Sequence, residues 1–175
     1  MNDVRNVQDR YKGWPIEHII ADLDTHGSPL EIAIENTLRD FNMGSIVRSA
    51  NAFGVRHIHI IGRKQWNKRG AMATEKYIHL HYYTDFRRFI AAMQTQKKHM
   101  IAIENNVESE DIRTYRFPVS SVLIFGQEGP GISQPLLQAA EVILSIPQIG
   151  STRSINVGAA AAIALYEYNR QFHLA

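Results

Sequence analysis

The chain has 175 residues, 45% hydrophobic and 21% charged, with a formal net charge of +2. That is one domain of ordinary size with enough apolar content for a core. No apolar run is long enough to span a bilayer and residues 1–10 lack the apolar stretch of a signal peptide, so the expected compartment is the cytoplasm, with no membrane partner. The absence of cysteine excludes disulfides, thiolate metal sites and cysteine nucleophiles, and the small positive charge permits a nucleic-acid partner without requiring one.

Residues 1–28 read as a polar leader carrying Arg5, Arg10, Tyr11, Lys12 and Trp14. Within it Pro15 opens a short helix whose Ile16, Ile19, Ile20 and Leu23 share one face, and Gly27-Ser28-Pro29 breaks it. Residues 29–175 are expected to form the main domain. Strands are predicted over 30–35, with Leu30, Ile32 and Ile34 on one face, and over 55–61 and 78–83. Helices are predicted over 43–53, closed by Gly54, and over 85–96, started by Thr84 or Asp85. Between them runs a basic loop from Gly62 to Gly70 that holds Arg63, Lys64, Trp66, Lys68 and Arg69. Residues 100–103 and 121–125 are apolar throughout or nearly so, as buried parallel strands are. A helix near 134–140, a strand near 142–146 and a last helix from about 156 to 172 complete an alternation that implies an α/β fold, a parallel sheet with helices on both faces. The run Gly158 to Ala162 suits either close packing on the sheet or tight contact with another backbone.

Three segments carry polar residues where such a fold binds ligands. Phe125-Gly126-Gln127-Glu128-Gly129-Pro130-Gly131 ends a buried strand in a glycine-rich turn, and open α/β sheets bind ligands beyond the carboxyl ends of their strands. An ordinary strand-to-helix turn is the plain alternative. A phosphate cradle fits poorly, because the glycine order is not the dinucleotide fingerprint, no P-loop is present, and Glu128 would repel phosphate. A ligand without phosphate fits better. Residues 147–153 form a loop before the last helix, which Ser154 or Asn156 can cap; a second polar side chain beside Ile155 is what a binding loop would supply. Asn42, Ser45 and Arg48 share one face of the helix over 43–53, as a solvated face or as a surface facing an anion, while Met43, Ile46, Val47 and Ala50 supply its buried side. His57 with His59, and His79 with His81, point in pairs to one face of their strands; metal binding there lacks a convincing carboxylate partner. The leader and the Arg63–Arg69 loop read equally as solvated surface or as RNA contacts.

Taken in order, these segments resemble the three motifs of the SpoU/TrmH family, which belongs to the SPOUT superfamily of knotted methyltransferases. Asn42 and Arg48 match the polar positions of the first motif, Gly126 and Glu128 the second, and Ser154 and Asn156 the third, with Ile155 in the place of a leucine. The resemblance spans residues 30–172. It implies a SPOUT-type α/β sheet with a deep trefoil knot in its C-terminal part, S-adenosylmethionine as cofactor, and methyl transfer to a ribose 2′-hydroxyl of tRNA or rRNA by a homodimer with its site at the subunit interface. It further implies Arg48, Asn42, Glu128, Ser154 and Asn156 as catalytic residues, and a cofactor pocket at Glu104 or its neighbours, Gly126, Ile146 and Ile155. In the family proposal the arginine is the base; holding the substrate phosphate and stabilising the developing alkoxide is an equally physical role for Arg48. The alternatives are a knotted RNA- or cofactor-binding module without turnover and a nucleotide-dependent oxidoreductase on a simple doubly wound sheet. The motifs do not distinguish tRNA from rRNA.

Overall fold

In the computed structural model, residues 6–37 and 42–172 are described; Arg5, the centre of the first motif at 38–41 and the last three residues lie outside them. Among the described residues, seven strands form one sheet: β1 (Glu31–Asn36), β2 (His57–Gly62), β3 (His79–Tyr83), β4 (His99–Ile103), β5 (Glu110–Asp111), β6 (Ser121–Phe125) and β7 (Val142–Ser145). Their order is β3-β2-β1-β6-β4-β7-β5, and these pairings are parallel. The helices are α1 (Ile16–Thr25), α2 (Met43–Ala52), α3 (Phe86–Thr95), α4 (Gln134–Ala139) and α5 (Val157–Phe172).

Successive side chains on a strand point to opposite faces, and the apolar residues divide accordingly into two cores. Ile32, Ile34, Ile58, Ile60, Ile101, Ile103, Leu123 and Phe125 face the first, which α2 and α5 cover. Ala33, Ile61, Met100, Ala102, Val122 and Ile124 face the second, closed by Phe89 and Met93 of α3 and Leu136 of α4. Both faces of the sheet are thus covered, as the apolar runs at 100–103 and 121–125 require. Asp85 starts α3, its carboxylate accepting the Arg87 and Arg88 backbone N–H groups at 3.0 and 3.1 Å. The small residues of α5 let it pack closely against α2: Ala161 and Ala164 are buried, and a Cβ on Gly158 would lie 3.3 Å from that of Ser45 on α2. The leader is joined to the domain by a small cluster of Tyr11, Ile19 and Tyr77.

The C-terminal half does not simply extend the sheet. β6 enters between β1 and β4, β7 pairs on the far side of β4, and the chain returns as α5 to the face of α2. The loop after β7 is clasped to the loop after β4: the Asn105 side chain donates to the Ile146 carbonyl at 2.7 Å and accepts from its N–H at 3.0 Å. This order and return are consistent with the knotted fold that the family resemblance implies, one of the rare exceptions to unthreaded topology. The two-residue β5, Glu110–Asp111, has no apolar signature and was not among the predicted strands.

Candidate active site

The carboxyl ends of β4, β6 and β7 converge on one cleft. After β6 the chain folds on itself, with Gln127 and Gly131 exchanging backbone hydrogen bonds of 3.1 and 3.0 Å. The turn is so tight that a Cβ on Gly126 would overlap the Gly131 carbonyl and the Ile132 nitrogen. Gly129 and Gly131 adopt φ of 96° and 72°, which L side chains rarely do. Two carboxylates hold the turn from outside. Glu104, at the end of β4, accepts the Ile132 N–H at 3.1 Å through one oxygen and the Asn105 and Asn106 N–H groups at 2.9 and 3.1 Å through the other. Glu35, buried on β1, accepts the Ser133 N–H at 2.8 Å. Glu104 therefore borders the cleft with its carboxylate already engaged by backbone donors, and it positions two loops against each other.

A directed chain of hydrogen bonds brings the three motifs together. Asn156 caps α5, its Oδ1 accepting from Gly158 and Ala159 N–H at 2.9 and 3.3 Å. A capping oxygen so used leaves the amide nitrogen to donate, and it does, to Asn42 Oδ1 at 2.8 Å. Asn42 in turn donates to Glu128 Oε2 at 2.6 Å. The cap of the last helix thus fixes the sense of a relay that ends on a carboxylate. Of the two capping candidates, Asn156 fills the role; Ser154 stands exposed at the cleft.

The cleft encloses a cavity of about 200 Å³ bordered by Glu104, Gly126, Glu128, Ser154, Ile155 and Asn156, together with Asn105, Gln127, Gln148 and the apolar Ile103 and Val157. Ile146 is buried and lines the adjoining groove. Asn42 reaches the cavity through Glu128 and Asn156. Arg48 does not border it: it is exposed on α2, with no hydrogen bond or ion pair to another of the described residues. Among the described residues no lysine, arginine or histidine lines the cavity, whereas two glutamates, backbone groups and aliphatic side chains do. That set suits a neutral or cationic nucleoside better than a phosphorylated one. Asn105 falls within the expected neighbourhood of Glu104, whereas Gln127 and Glu35 are not among the expected site residues. Paired asparagines after a buried strand mark a turn that bonds its own backbone; Gln127 and Glu35 carry no such signal.

The histidine pairs lie elsewhere, on β2 and β3. His57 Nδ1 lies 3.0 Å from His81 Nε2, and His59 Nε2 lies 2.6 Å from Glu31, which also pairs with Lys98 at 2.7 Å. Burial pushes the His57 and His81 pKa values down, with neighbouring histidines adding to it. Burial alone would raise that of Glu31, but the hydrogen bonds and charges of His59 and Lys98 outweigh it and hold the carboxyl at about 2. The ladder is a partly buried polar network at the amino ends of β1, β2 and β3, opposite the strand ends that form the cleft.

The SpoU rRNA methylase family model matches residues 29–166. Among curated proteins, the tRNA (guanosine(18)-2′-O)-methyltransferase of Escherichia coli (strain K12) is 27% identical over 145 residues, covering 81% of this chain and 63% of that protein. The chain therefore spans less than two thirds of that relative's length. Among solved structures, an AdoMet-bound rRNA methyltransferase from Sinorhizobium meliloti superposes with a TM-score of 0.74 at 26% identity, over 82% of this chain and 56% of that one. A structure concerned with the 2-OH methylation of C/U34 on tRNA superposes with a TM-score of 0.74 at 25% identity, over 85% of this chain and all of that one.

Proposed function

This chain belongs to the SpoU rRNA methylase family, and we propose that it methylates a ribose 2′-hydroxyl of tRNA with S-adenosylmethionine as donor. The observation that carries the reading is the hydrogen-bonded chain Glu128–Asn42–Asn156, which joins the three motifs at the edge of a cavity that no cationic side chain among the described residues lines. The cofactor fits that cavity by chemistry: the backbone of residues 126–131, Ile155 and Val157 suit an adenosine, and Glu104 and Glu128 favour a sulfonium over a phosphate. The AdoMet-bound state of the Sinorhizobium structure supports the same choice. When bound, S-adenosylmethionine supplies a methyl carbon whose transfer to the ribose oxygen releases a neutral thioether and the hydroxyl proton.

The residues of this chain then do the positioning. Glu128, held by Asn42, orients the substrate hydroxyl or its neighbours. Ser154, exposed beside the cavity, offers a hydrogen bond to substrate or cofactor. Arg48 meets the phosphate flanking the target ribose and stabilises negative charge developing on the oxygen. Its position outside its own cavity accords with a homodimer, and α5 presents a surface for one: Ile163 and Tyr166 are 41% and 51% exposed, with Tyr166 edge-on to Phe53. tRNA is preferred over rRNA because the Escherichia coli relative and the C/U34 structure both concern tRNA; rRNA is the second reading, favoured by the Sinorhizobium enzyme.

Transfer of tritiated methyl groups from S-adenosylmethionine to fractionated tRNA and rRNA, followed by mapping of the modified ribose, tests this. The expected outcome is label in tRNA, lowered by about a hundredfold or more in Arg48→Ala, the order seen when one electrostatic contact of a transition state is removed, with cofactor affinity unchanged. Cofactor binding without transfer to either RNA would instead make the chain a binding module.

A further inference from the structure

We propose that the loop between β2 and the turn at Arg69–Ala71 is an RNA-docking arm that receives the sugar-phosphate strand beside the reacting ribose. This rests on the RNA reading above and adds a second contact surface to it. Arg63, Lys64, Lys68 and Arg69 lie within seven residues, all exposed, and no acidic residue occurs between residues 62 and 74.

The arm is built rather than loose, and it is built onto the first motif. At one end the buried Asn36 accepts the Arg63 N–H on its carbonyl at 2.8 Å, and its side chain donates to the Arg63 and Gln65 carbonyls at 2.6 and 3.2 Å. At the other end Gly70 lies against the first turn of α2: a Cβ on Gly44 would come within 2.8 Å of the Gly70 Cα, so only glycine permits this approach. In between, Trp66 packs against the core under α2. Lys68 is held over the Trp66 ring at 5.8 Å, and Lys64 over the Tyr82 ring at 5.1 Å. Met72 and Ala73, just beyond, are both left-handed, with φ of 49° and 65°, a backbone that a mere connection does not need. Four cations are therefore displayed from a scaffold tied at both ends to the segment that carries Asn42 and Arg48. Exposed cations on a stretch of sequence free of acidic residues match a polyphosphate strand, and each phosphate they neutralise releases counterions and makes binding salt-dependent.

The test uses unfractionated tRNA. Binding is followed against salt for wild type and for the combined variant Arg63→Gln, Lys64→Gln, Lys68→Gln, Arg69→Gln. With about 0.7 to 0.9 of a unit of log–log salt slope per phosphate contact, the variant is expected to lose roughly three units of slope. Its KM for tRNA should rise at least tenfold, with kcat within about twofold and S-adenosylmethionine affinity unchanged. Lys64→Gln with Lys68→Gln, which leaves the anchored ends intact, should lose a proportionate share of the slope even if the combined variant folds poorly; Lys64→Arg with Lys68→Arg should keep it. An unchanged slope and KM in the double Gln variant, while wild type binds and methylates tRNA, overturns the arm alone. If wild type binds no RNA at all, the functional reading falls and the arm with it.

Discussion

Replacing Gly126 by alanine tests the architecture of the cleft directly. A Cβ there has no space, because the Gly131 carbonyl and the Ile132 nitrogen occupy it, and these are backbone atoms that cannot rotate aside. The turn must open, and three hydrogen bonds go with it: the Gln127–Gly131 pair and the Ile132 N–H to Glu104. At about 1 kcal/mol net for each, the cost is ~3 kcal/mol. Spread over the whole fold, that lowers Tm by about 6 to 12 °C for a domain of this size. If the turn detaches locally instead, the same energy appears as a loss of roughly a hundredfold in S-adenosylmethionine affinity. Thermal melts and calorimetric titration, run together, catch both cases. Gly129→Ala and Gly150→Ala are internal controls, since a Cβ at either meets nothing within 4 Å. The first carries only the strain of a φ of 96°, about 1 kcal/mol; the second should stay within about 0.5 kcal/mol of wild type. A Gly126→Ala protein that melts and binds cofactor like Gly150→Ala would refute the steric reasoning.

Two further tests address polar groups. Asn156→Ala should cost about 1 kcal/mol as a lost helix cap and reduce methyl transfer as well. Asn156→Asp keeps an acceptor for the Gly158 and Ala159 N–H groups but cannot donate to Asn42, so it should retain wild-type melting while losing turnover; equal activity in Asn156→Asp and wild type would remove the relay from the mechanism. Glu31→Gln leaves Lys98 and His59 without their buried partner and should destabilise by roughly 3 kcal/mol. The acid dependence follows from the same pair. A carboxyl lowered from 4.5 to about 2 contributes stability that is complete above pH 4.5 and lost as pH falls toward 2, ~3 kcal/mol in all. His57 and His81, also lowered, begin the loss earlier: below about pH 6.5 the unfolded chain binds protons that these folded rings refuse. Denaturant melts from pH 7 to 3 should show that decline, with the lower part flattened in Glu31→Gln.

What could be read from the sequence followed from periodicity. Ile32 and Ile34 alternating with Ala33, and the unbroken runs at 100–103 and 121–125, encode strands buried on both faces, because each side chain reports its own face. Strand order is not encoded that way. Nothing in Ser121–Phe125 says that β6 enters between β1 and β4, since two fully buried strands carry the same apolar signature wherever they sit. The polar groupings divide similarly. Asn42 and Asn156 stand out as polar residues at helix starts, where asparagine is a favoured cap, and Glu128 as a carboxylate within a glycine turn. Glu35 and Glu31 do not, because the groups that satisfy them, the Ser133 N–H for one and the Lys98 ammonium and His59 ring for the other, come from far along the chain. Arg48 shows the limit from the other side: its helical face is plain in the pattern at 42, 45 and 48, yet its place outside the cavity depends on how α2 lies against the sheet.

α5 is fastened at both ends. Asn156 ties its start to Asn42, the Tyr168 hydroxyl donates to the Val119 carbonyl, Asn169 to that of Phe53, and Gln171 bonds Tyr115 and Phe117. A rod bolted at so many points cannot act as a door. The irregular stretch 147–153 contrasts with it, turning all but Gln148 to solvent, Ile149 completely. The cleft is thus walled on one side by a fixed helix and on the other by an exposed, irregular strap of seven residues.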